Sequence, residues 1–328
     1  MKIAGYLLFT AGLLALIVLV GYYGAAAIGS AILQVGWGLV LVALFHLVPL
    51  AADTFAWAYL LGRWKGTTFL DLMWLRWIKE SVSTLLPVAQ IGGDLVRLRL
   101  AIHRGLPGPI VGASLVVEFT TSLFALILFC LVGGALLFDR GVAGNTLTIL
   151  LLAIGVSFAL VVAFYVAQRA GLFTALLSLL VRAGPARGWA QLAGGASALD
   201  QGIREIYARR RDVVASSAWA FVGWVLGAGE VWLALYLLRA PVDLAGAVIL
   251  ESLIHGLRNA AFMVPAAVGV QEGGLVLLGA MIGLTPDTAI ALSLIKRVRE
   301  LALGVPGLLA WHFAESRRLL RQANGERK

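Results

Sequence analysis

Apolar runs of about 20 residues recur along this 328-residue chain and limit it to folds that a lipid bilayer accepts. A helix needs roughly 20 apolar residues to cross the hydrocarbon core, and in lipid every backbone polar group must be hydrogen-bonded internally. Charged residues make up 13% of the chain, against about 25% in soluble domains. The sequence therefore predicts an all-α, polytopic integral membrane protein with a single membrane domain, residues 1–328.

The runs predict about six full spans and two irregular regions. The spans are expected at residues 6–28, 37–61, 110–138, 145–168, 213–238 and 286–314. The first run is longer than a signal-peptide core and is interpreted as an uncleaved span. Residues 68–104 and 243–284 are broken by Pro and Gly and carry charge, so each is predicted to form a re-entrant hairpin of two short helices.

The two irregular regions align when the sequence is shifted by 178 positions. Pro87 then matches Pro265, Asp94 matches Glu272, and Gly105 matches Gly283. Three predicted spans lie between the matched prolines, and an odd number inverts the second copy. We therefore predict inverted repeats, repeat A at about 68–138 and repeat B at about 243–314, as in transporters that bind substrate between the copies.

Basic residues are concentrated in loops that can all face one side of the membrane. The positive-inside rule then predicts a bacterial inner-membrane protein with both termini in the cytoplasm. Residues 169–212 mix apolar turns with arginines and predict helices lying on the inner leaflet. This bias and the anionic lipid headgroups account for the net charge of +9, so no nucleic-acid partner is expected.

The motif IKRVREL places four charged residues in the middle of the last predicted span: Lys296, Arg297, Arg299 and Glu300. A charge near the bilayer centre costs about 2.5–3.5 kcal/mol, so these side chains need protein or water around them, and acidic partners. The candidate partners in other apolar runs are Asp53, Asp94, Glu118, Glu230, Glu251 and Glu272. Glu118 corresponds to Lys296 in the repeat, which predicts a Glu118–Arg297 or Glu118–Lys296 pair.

Two interpretations of these charges stay open. They either form buried ion pairs that hold helices together or line a hydrated cavity for a lipid headgroup, and their number favours the cavity. In the cavity, Arg297, Lys296, Arg299 and Arg97 would attract the headgroup. Asp94, Glu118 and Glu272 would hold the cations while the site is empty, and Glu300, Asp53 and His46 are further candidates for charge pairing or proton coupling.

The pair Gly92-Gly93 before Asp94 is a candidate anion site. A helix that starts at Asp94 would present N–H groups to a phosphate, and glycine allows close approach of the backbone. The alternative is that Asp94 only caps the helix. Arg97 is spaced to pair with Asp94, and Glu272 is expected at the matching helix start.

His46 and Asp53 lie seven residues apart on one face of the second span. They would form a proton relay or, as the favoured interpretation, a hydrogen-bonded pair that faces the helix bundle. The tryptophans at positions 57, 64, 74 and 77 are typical of an interfacial belt.

No catalytic, metal or cofactor motif was found. The sequence lacks a Walker A loop, an H-E-x-x-H zinc motif and a nucleophile elbow, so a transporter is favoured over an enzyme and no cofactor is expected. A membrane-embedded lipid-modifying transferase and a non-catalytic scaffold for lipid biosynthesis stay open. The single cysteine, Cys130, excludes an internal disulfide.

The segments RWIKESVSTLLPVAQIGGDLVRLRL (76–100) and ASLVVEFTTSLF (113–124) resemble the flippase-like family built on the lysylphosphatidylglycerol synthase membrane region. VPAAVGVQEGGLVLLG and SLIKRVREL resemble the later half of that family. The sequence is most similar to its hopanoid-biosynthesis-associated branch. The resemblance implies a lipid translocase or transporter for hopanoids or phospholipid-type lipids, with membrane lipids and hopanoid-biosynthesis proteins as partners. It also implies an acid near position 118, which Glu118 supplies.

The aminoacyl-lipid synthases of the wider group carry a large soluble transferase domain. This chain has no room for such a domain, so lysyl transfer is not expected.

Overall fold

A computed structural model describes residues 33, 35–62, 67–86, 89–142, 145–183, 189–240, 242–260 and 269–325. In these ranges all regular secondary structure is helical, which confirms the all-α class. Among the described residues, four helical stretches are long and apolar enough to cross a membrane: Gly38–Leu61, Gly108–Asp139, Thr148–Ala170 and Arg210–Leu237. They coincide with four of the predicted spans. The predicted span at 6–28 lies outside the described residues.

The helices are numbered here in chain order. They are α1 (Gly38–Phe45), α2 (Leu47–Leu61), α3 (Phe69–Leu85), α4 (Ala89–His103), α5 (Gly108–Asp139), α6 (Asn145–Ala170), α7 (Leu172–Ala183), α8 (Trp189–Ala208), α9 (Arg210–Leu237), α10 (Leu244–Ala260), α11 (Val270–Met281) and α12 (Pro286–Gly325). The last predicted span, 286–314, falls in α12, which is charged in its middle and is not one of the four apolar stretches.

The first apolar stretch is interrupted at His46, between α1 and α2. Pro49 explains the interruption, because it has no N–H to donate to the carbonyl of Phe45 one turn earlier. His46 keeps helical backbone angles (φ −59°, ψ −23°), so the stretch continues in nearly the same direction.

Helix boundaries in the two halves follow the 178-residue spacing of the sequence. The helices α4 and α11 end at His103 and Met281, and α5 and α12 begin at Gly108 and Pro286. In the two connections Gly105 has φ 87° and Gly283 has φ 85°, a backbone conformation that favours glycine. The helices α3–α5 form the first helix set and α10–α12 the second. The matched prolines of the two sets, Pro87 and Pro265, lie outside the described residues.

The two sets pack against each other in a reciprocal way. The last helix of the second set, α12, lies along α3, and the last helix of the first set, α5, lies along α10, while α2 packs along α9. Gly307 and Gly304 of α12 face Ser81 and Leu85 of α3, and Gly133 of α5 faces Ser252 of α10. These glycines let the helix backbones approach closely, as is common between helices in membranes.

The region predicted to lie on the inner leaflet contains α7 and α8. Asp200 of α8 accepts hydrogen bonds from the backbone N–H groups of Phe173 and Thr174, at 3.2 Å and 2.8 Å. It therefore satisfies donors at the start of α7 that have no partner inside that helix. The helix α8 also packs along α5.

Candidate functional site

Most buried charges of the described residues fall into two clusters at the helix contacts; the Lys296–Glu251 pair and Asp200 lie outside them. The Glu118 cluster lies within α2 and the first helix set. The Arg299 cluster joins α9 and the second helix set to His46 and Glu80. The members of the first are Asp53, Arg76, Asp94, Arg97 and Glu118; those of the second are His46, Glu80, Glu230, Arg258, Glu272, Arg297, Arg299 and Glu300.

Glu118 of α5 is enclosed by two arginines of its own helix set. Its carboxylate accepts hydrogen bonds from Arg76 of α3 and Arg97 of α4. Asp53 accepts from the second nitrogen of Arg76, Nη2, at 2.8 Å. Asp94 accepts at 2.9 Å from Arg97 Nη2, the nitrogen that also donates to Glu118. The predicted Asp94–Arg97 pair is thus confirmed.

The predicted pair between Glu118 and Arg297 or Lys296 is wrong. Arg76 and Arg97 already occupy both carboxylate oxygens of Glu118, and both come from helices that are adjacent to α5 in the fold. Lys296 instead pairs with Glu251 of α10, which also contacts His255 Nε2 at 3.0 Å.

The expected anion site at Gly92-Gly93 is also wrong. The helix α4 begins at Ala89 rather than at Asp94, so both glycines lie inside it and their N–H groups face no free helix end. Asp94 is likewise not a cap. A Cβ atom on Gly93 would lie 2.3 Å from the backbone oxygen of Lys79 and 2.2 Å from Ser83 Oγ, so glycine is required here for the close contact of α4 with α3.

In the Arg299 cluster, α12 contributes a row of charges that face other helices. Arg297 donates to Glu300 Oε2 at 3.0 Å and to Glu272 Oε1 at 3.3 Å. Arg299 Nη1 lies 3.0 Å from Glu230 Oε1 of α9, and Arg258 Nη1 of α10 lies 3.6 Å from Glu300 Oε1. The predicted helix start at Glu272 is confirmed, because its carboxylate accepts the N–H of Gly269 at 2.6 Å.

His46 connects the Arg299 cluster to α3. Its Nδ1 lies 2.7 Å from Glu230 Oε2 and its Nε2 lies 2.7 Å from Glu80 Oε1, and Arg299 also contacts the ring. The expected hydrogen-bonded pair of His46 with Asp53 is wrong, since Asp53 turns to Arg76. His46 therefore bridges α3 and α9 instead of serving as a partner within its own span.

A small cleft opens beside this bridge. Its volume is about 310 Å³ when the open solvent at its mouth is counted, and the enclosed part has room for roughly one or two water molecules. Its charged lining comes from three different helical segments, and the remaining wall consists of apolar residues of α2, α3 and α12 and of two hydroxyl side chains of α3. The lining residues are His46, Leu50, Trp77, Glu80, Ser81, Thr84, Arg299, Glu300, Leu303 and Gly304.

The family profile of the lysylphosphatidylglycerol synthase transmembrane region matches residues 3–307, which is nearly the whole chain. The chain belongs to this family. No curated protein and no solved structure shows significant similarity to it. Membership of the lysylphosphatidylglycerol synthase transmembrane-region family relates the chain to membrane lipids.

Three site residues of this family member were missed by the sequence reasoning: Arg76, Glu80 and Arg258. Arg76 is only 8% exposed, and all three lie in the irregular regions rather than in an apolar run. Glu80 and Arg258 are 178 positions apart and carry opposite charges, like Glu118 and Lys296. The repeat spacing would have found this second pair of opposite charges.

Trp57 is a further site residue in this member of the lysylphosphatidylglycerol synthase transmembrane-region family. Its indole is fully buried, donates to Ser114 Oγ at 3.0 Å and lies 4.5 Å below the guanidinium of Arg97. It supports the Glu118 cluster by a cation–π contact. The prediction that Trp57 belongs to an interfacial belt is therefore wrong.

Proposed function

We propose that this chain is a lipid translocase in which a polar headgroup passes through the cleft beside the Arg299 cluster. The observation that carries the proposal is the position of Arg299, a permanent cation that lines the cleft and is paired with carboxylates on a neighbouring helix. Cations inside a membrane protein are expensive and mark substrate pathways. The family relates the chain to lipids, which supports a lipid as the substrate.

The step that we propose is an exchange of anions at Arg299. Both oxygens of Glu230 contact Arg299 Nη1, at 3.0 Å and 3.1 Å. A headgroup phosphate offers the same kind of oxygen and matches the geometry of a guanidinium. The phosphate would replace Glu230 at Arg299 while the acyl or polycyclic tail stays in lipid, and the carboxylate would return when the headgroup leaves.

Arg297 and Lys296 have supporting places in this proposal. Arg297 is held by Glu272 and Glu300 behind the cleft, and Lys296 is paired with Glu251 against α10. Neither lines the cleft. In the proposal, their pairing compensates the charges of Arg297 and Lys296 and helps to orient Arg299. Arg299 is then the cation that the headgroup meets first.

The reciprocal packing of the two helix sets supports the movement that translocation needs. In the proposed arrangement α3–α4 and α10–α11 are re-entrant hairpins that enter from opposite sides of the bilayer, and the sets are inverted repeats. The glycine-lined contacts of α3 with α12 and of α5 with α10 would be the surfaces along which the sets shift. The cleft would then face one side of the membrane at a time.

The finer assignments follow from the basic loops and from the resemblance of the motifs. We propose a bacterial inner-membrane location with both termini in the cytoplasm, hopanoids or phospholipid-type lipids as substrates, and hopanoid-biosynthesis proteins as partners. Transport would run down a lipid gradient or be coupled to protons, since the sequence contains no Walker A loop.

The test is lipid translocation in proteoliposomes. Purified protein would be reconstituted with a fluorescent phospholipid or a fluorescent hopanoid analogue, and an impermeant quencher would report movement between leaflets. The proposal expects movement above that in protein-free vesicles and its loss in Arg299→Gln. Product formation from either lipid in detergent would identify a transferase instead. A folded protein that moves neither lipid, with or without a proton gradient, would contradict the proposal.

A further inference from the structure

The Arg299 cluster contains one more acid than base. Contacts of 4.0 Å or less connect three guanidinium groups to four carboxylates. With all of these ionised, the three guanidinium groups and four carboxylates sum to one net negative charge, and protein surroundings disfavour a net charge relative to water. The bases are Arg258, Arg297 and Arg299; the acids are Glu80, Glu230, Glu272 and Glu300. The one further group in the network that can carry positive charge is His46.

The geometry around His46 fits a ring that is protonated on both nitrogens. Nδ1 and Nε2 each face a carboxylate oxygen at 2.7 Å. A neutral imidazole donates through only one nitrogen, so only the imidazolium donates to both carboxylates. A neutral ring would donate to Glu80, accept from Arg299 at Nδ1 and leave Glu230 to Arg299. The charged groups that face His46 are Glu80 on α3, Glu230 on α9, and Arg299 on α12.

The remaining charged groups nearby are engaged elsewhere. On α3, Arg76 pairs with Asp53 and Glu118, and Lys79 lies 4.0 Å from Asp94. On α12, Glu300 shares the cleft wall and contacts Arg258, Arg297 and, at 3.7 Å, Arg299, while Lys296 is paired with Glu251. Whether His46 holds a second proton therefore depends mainly on three neighbours. Glu80 and Glu230 favour the protonated ring, and Arg299 opposes it.

We infer that His46 is the binding site of a proton that is taken up together with an anionic headgroup. The inference rests on the proposed function for its transport part. With the proton, the network is neutral and Arg299 is able to exchange Glu230 for a phosphate. Without the proton, the network holds one net negative charge beside the cleft and repels the headgroup. Proton binding at this bridge thereby controls entry of the substrate.

The proton site is tested first by nitrogen NMR on detergent-solubilised protein with isotope-labelled histidine. The chain has four histidines, and His46→Gln assigns the signal. The inference expects a ring protonated on both nitrogens at neutral pH that loses one proton as pH rises, and a signal that shifts to a neutral ring in Glu80→Gln. A His46 ring that is neutral throughout the range overturns the inference.

Transport is tested by the pH dependence of phospholipid movement in proteoliposomes. Wild type should slow as pH rises through the His46 titration, by about tenfold per pH unit at the limit for one proton. His46→Gln should be slow at every pH, because the negative charge is then permanent. His46→Gln/Glu80→Gln restores neutrality, with three acids to three bases, and should recover movement without pH dependence. His103→Gln, at an exposed helix end, should titrate like wild type.

The outcomes separate the two proposals. A His46 proton seen by NMR in a protein that moves no lipid keeps the proton site and contradicts the translocase. Lipid movement with unchanged pH dependence in His46→Gln keeps the translocase and overturns the coupling. A double variant as slow as His46→Gln would show that net charge is not the controlling quantity and would also overturn it.

Discussion

Glu118 and Lys296 stand at equivalent positions of the two helix sets, 178 residues apart, with opposite charges, and each is buried in an ion pair within its own set. Glu118 meets Arg76 and Arg97, and Lys296 meets Glu251. The equivalent positions therefore do not meet each other across the interface between the sets. His46 instead connects the sets, through Glu80 of α3 on one side and Arg299 of α12 on the other.

Replacing Glu118 should destabilise the fold strongly. In Glu118→Gln, Arg76 and Arg97 lose the carboxylate that both contact, and breaking a buried ion pair from one side costs about 3–5 kcal/mol. Chemical denaturation in detergent micelles measures the change in the free energy of unfolding.

The control for this variant is Glu315→Gln. Glu315 pairs with Arg99, and both side chains are partly exposed, by 25% and 40%. The loss should stay at or below about 1 kcal/mol, as for other exposed pairs. Equal losses in the two variants would mean that the Glu118 cluster does not hold the helices together.

Gly93→Ala should also destabilise, because a methyl group at this position collides with the backbone oxygen of Lys79. Forcing extra volume into a packed contact costs about 1–3 kcal/mol. The same denaturation experiment measures it. At Gly155 in α6 a Cβ atom has no neighbour within 4 Å, so Gly155→Ala should be neutral or stabilising by up to about 1 kcal/mol. A destabilisation that is larger at Gly155 than at Gly93 would contradict the close contact of α3 and α4.

Asp243 should give a pH-dependent contribution to stability. It lies just before α10, where its carboxylate pairs with Arg140 and accepts the N–H of Gly246 at 3.0 Å. The hydrogen bond from Arg140, followed by that from Gly246, lowers the pKa of Asp243 below its usual 3.8. A lowered pKa in the folded state stabilises the fold above the unfolded pKa, and this stability is lost as pH falls through the folded value.

The measurement is a series of thermal melts of wild type, Asp243→Asn and Asp243→Ala from pH 7 into acid. Asn keeps a capping oxygen and removes the charge, so its deficit should be at most about 1 kcal/mol at pH 7 and should vanish in acid. Ala removes the cap as well and should cost about 1 kcal/mol more at every pH. A constant difference between wild type and Asp243→Asn would contradict this assignment.

Water should reach the cleft from the surface. Thr84 lines the cleft, whereas Thr121 on α5 is buried beside Ser216. In a Cys130→Ser background, a cysteine at position 84 should react with a charged, impermeant maleimide much faster than a cysteine at position 121. Equal labelling rates would show that the cleft is not a polar route. The pattern should hold in proteoliposomes as well as in detergent.

The long helices were predictable because hydropathy alone decides them. The spans at 37–61, 110–138, 145–168 and 213–238 coincide with helices of the structure. The 178-residue spacing also aligned Gly105 with Gly283, and both of these glycines have positive φ in the structure. Both signals are local properties of the chain, so they do not depend on how the helices pack.

Which charged side chains pair with each other was harder to predict, because the pairing depends on how the helices pack. The sequence showed that Glu118 needs a cation, but α3 and α4, rather than α12, place one against it. Gly92-Gly93 was read as a ligand site because the Lys79 carbonyl that requires a glycine lies on another helix. The bridge by His46 was missed for the same reason, since Glu80 and Glu230 are far from it in sequence.

The most direct test of the account compares two arginine variants for phospholipid movement in proteoliposomes at equal protein-to-lipid ratio. Arg299 lines the cleft, whereas Arg99 is 40% exposed and pairs with Glu315 away from it. The account predicts that Arg99→Gln moves lipid at close to the wild-type rate and that Arg299→Gln, shown to be folded, falls to the rate of protein-free vesicles. Equal rates for the two folded variants would contradict the passage of headgroups past Arg299.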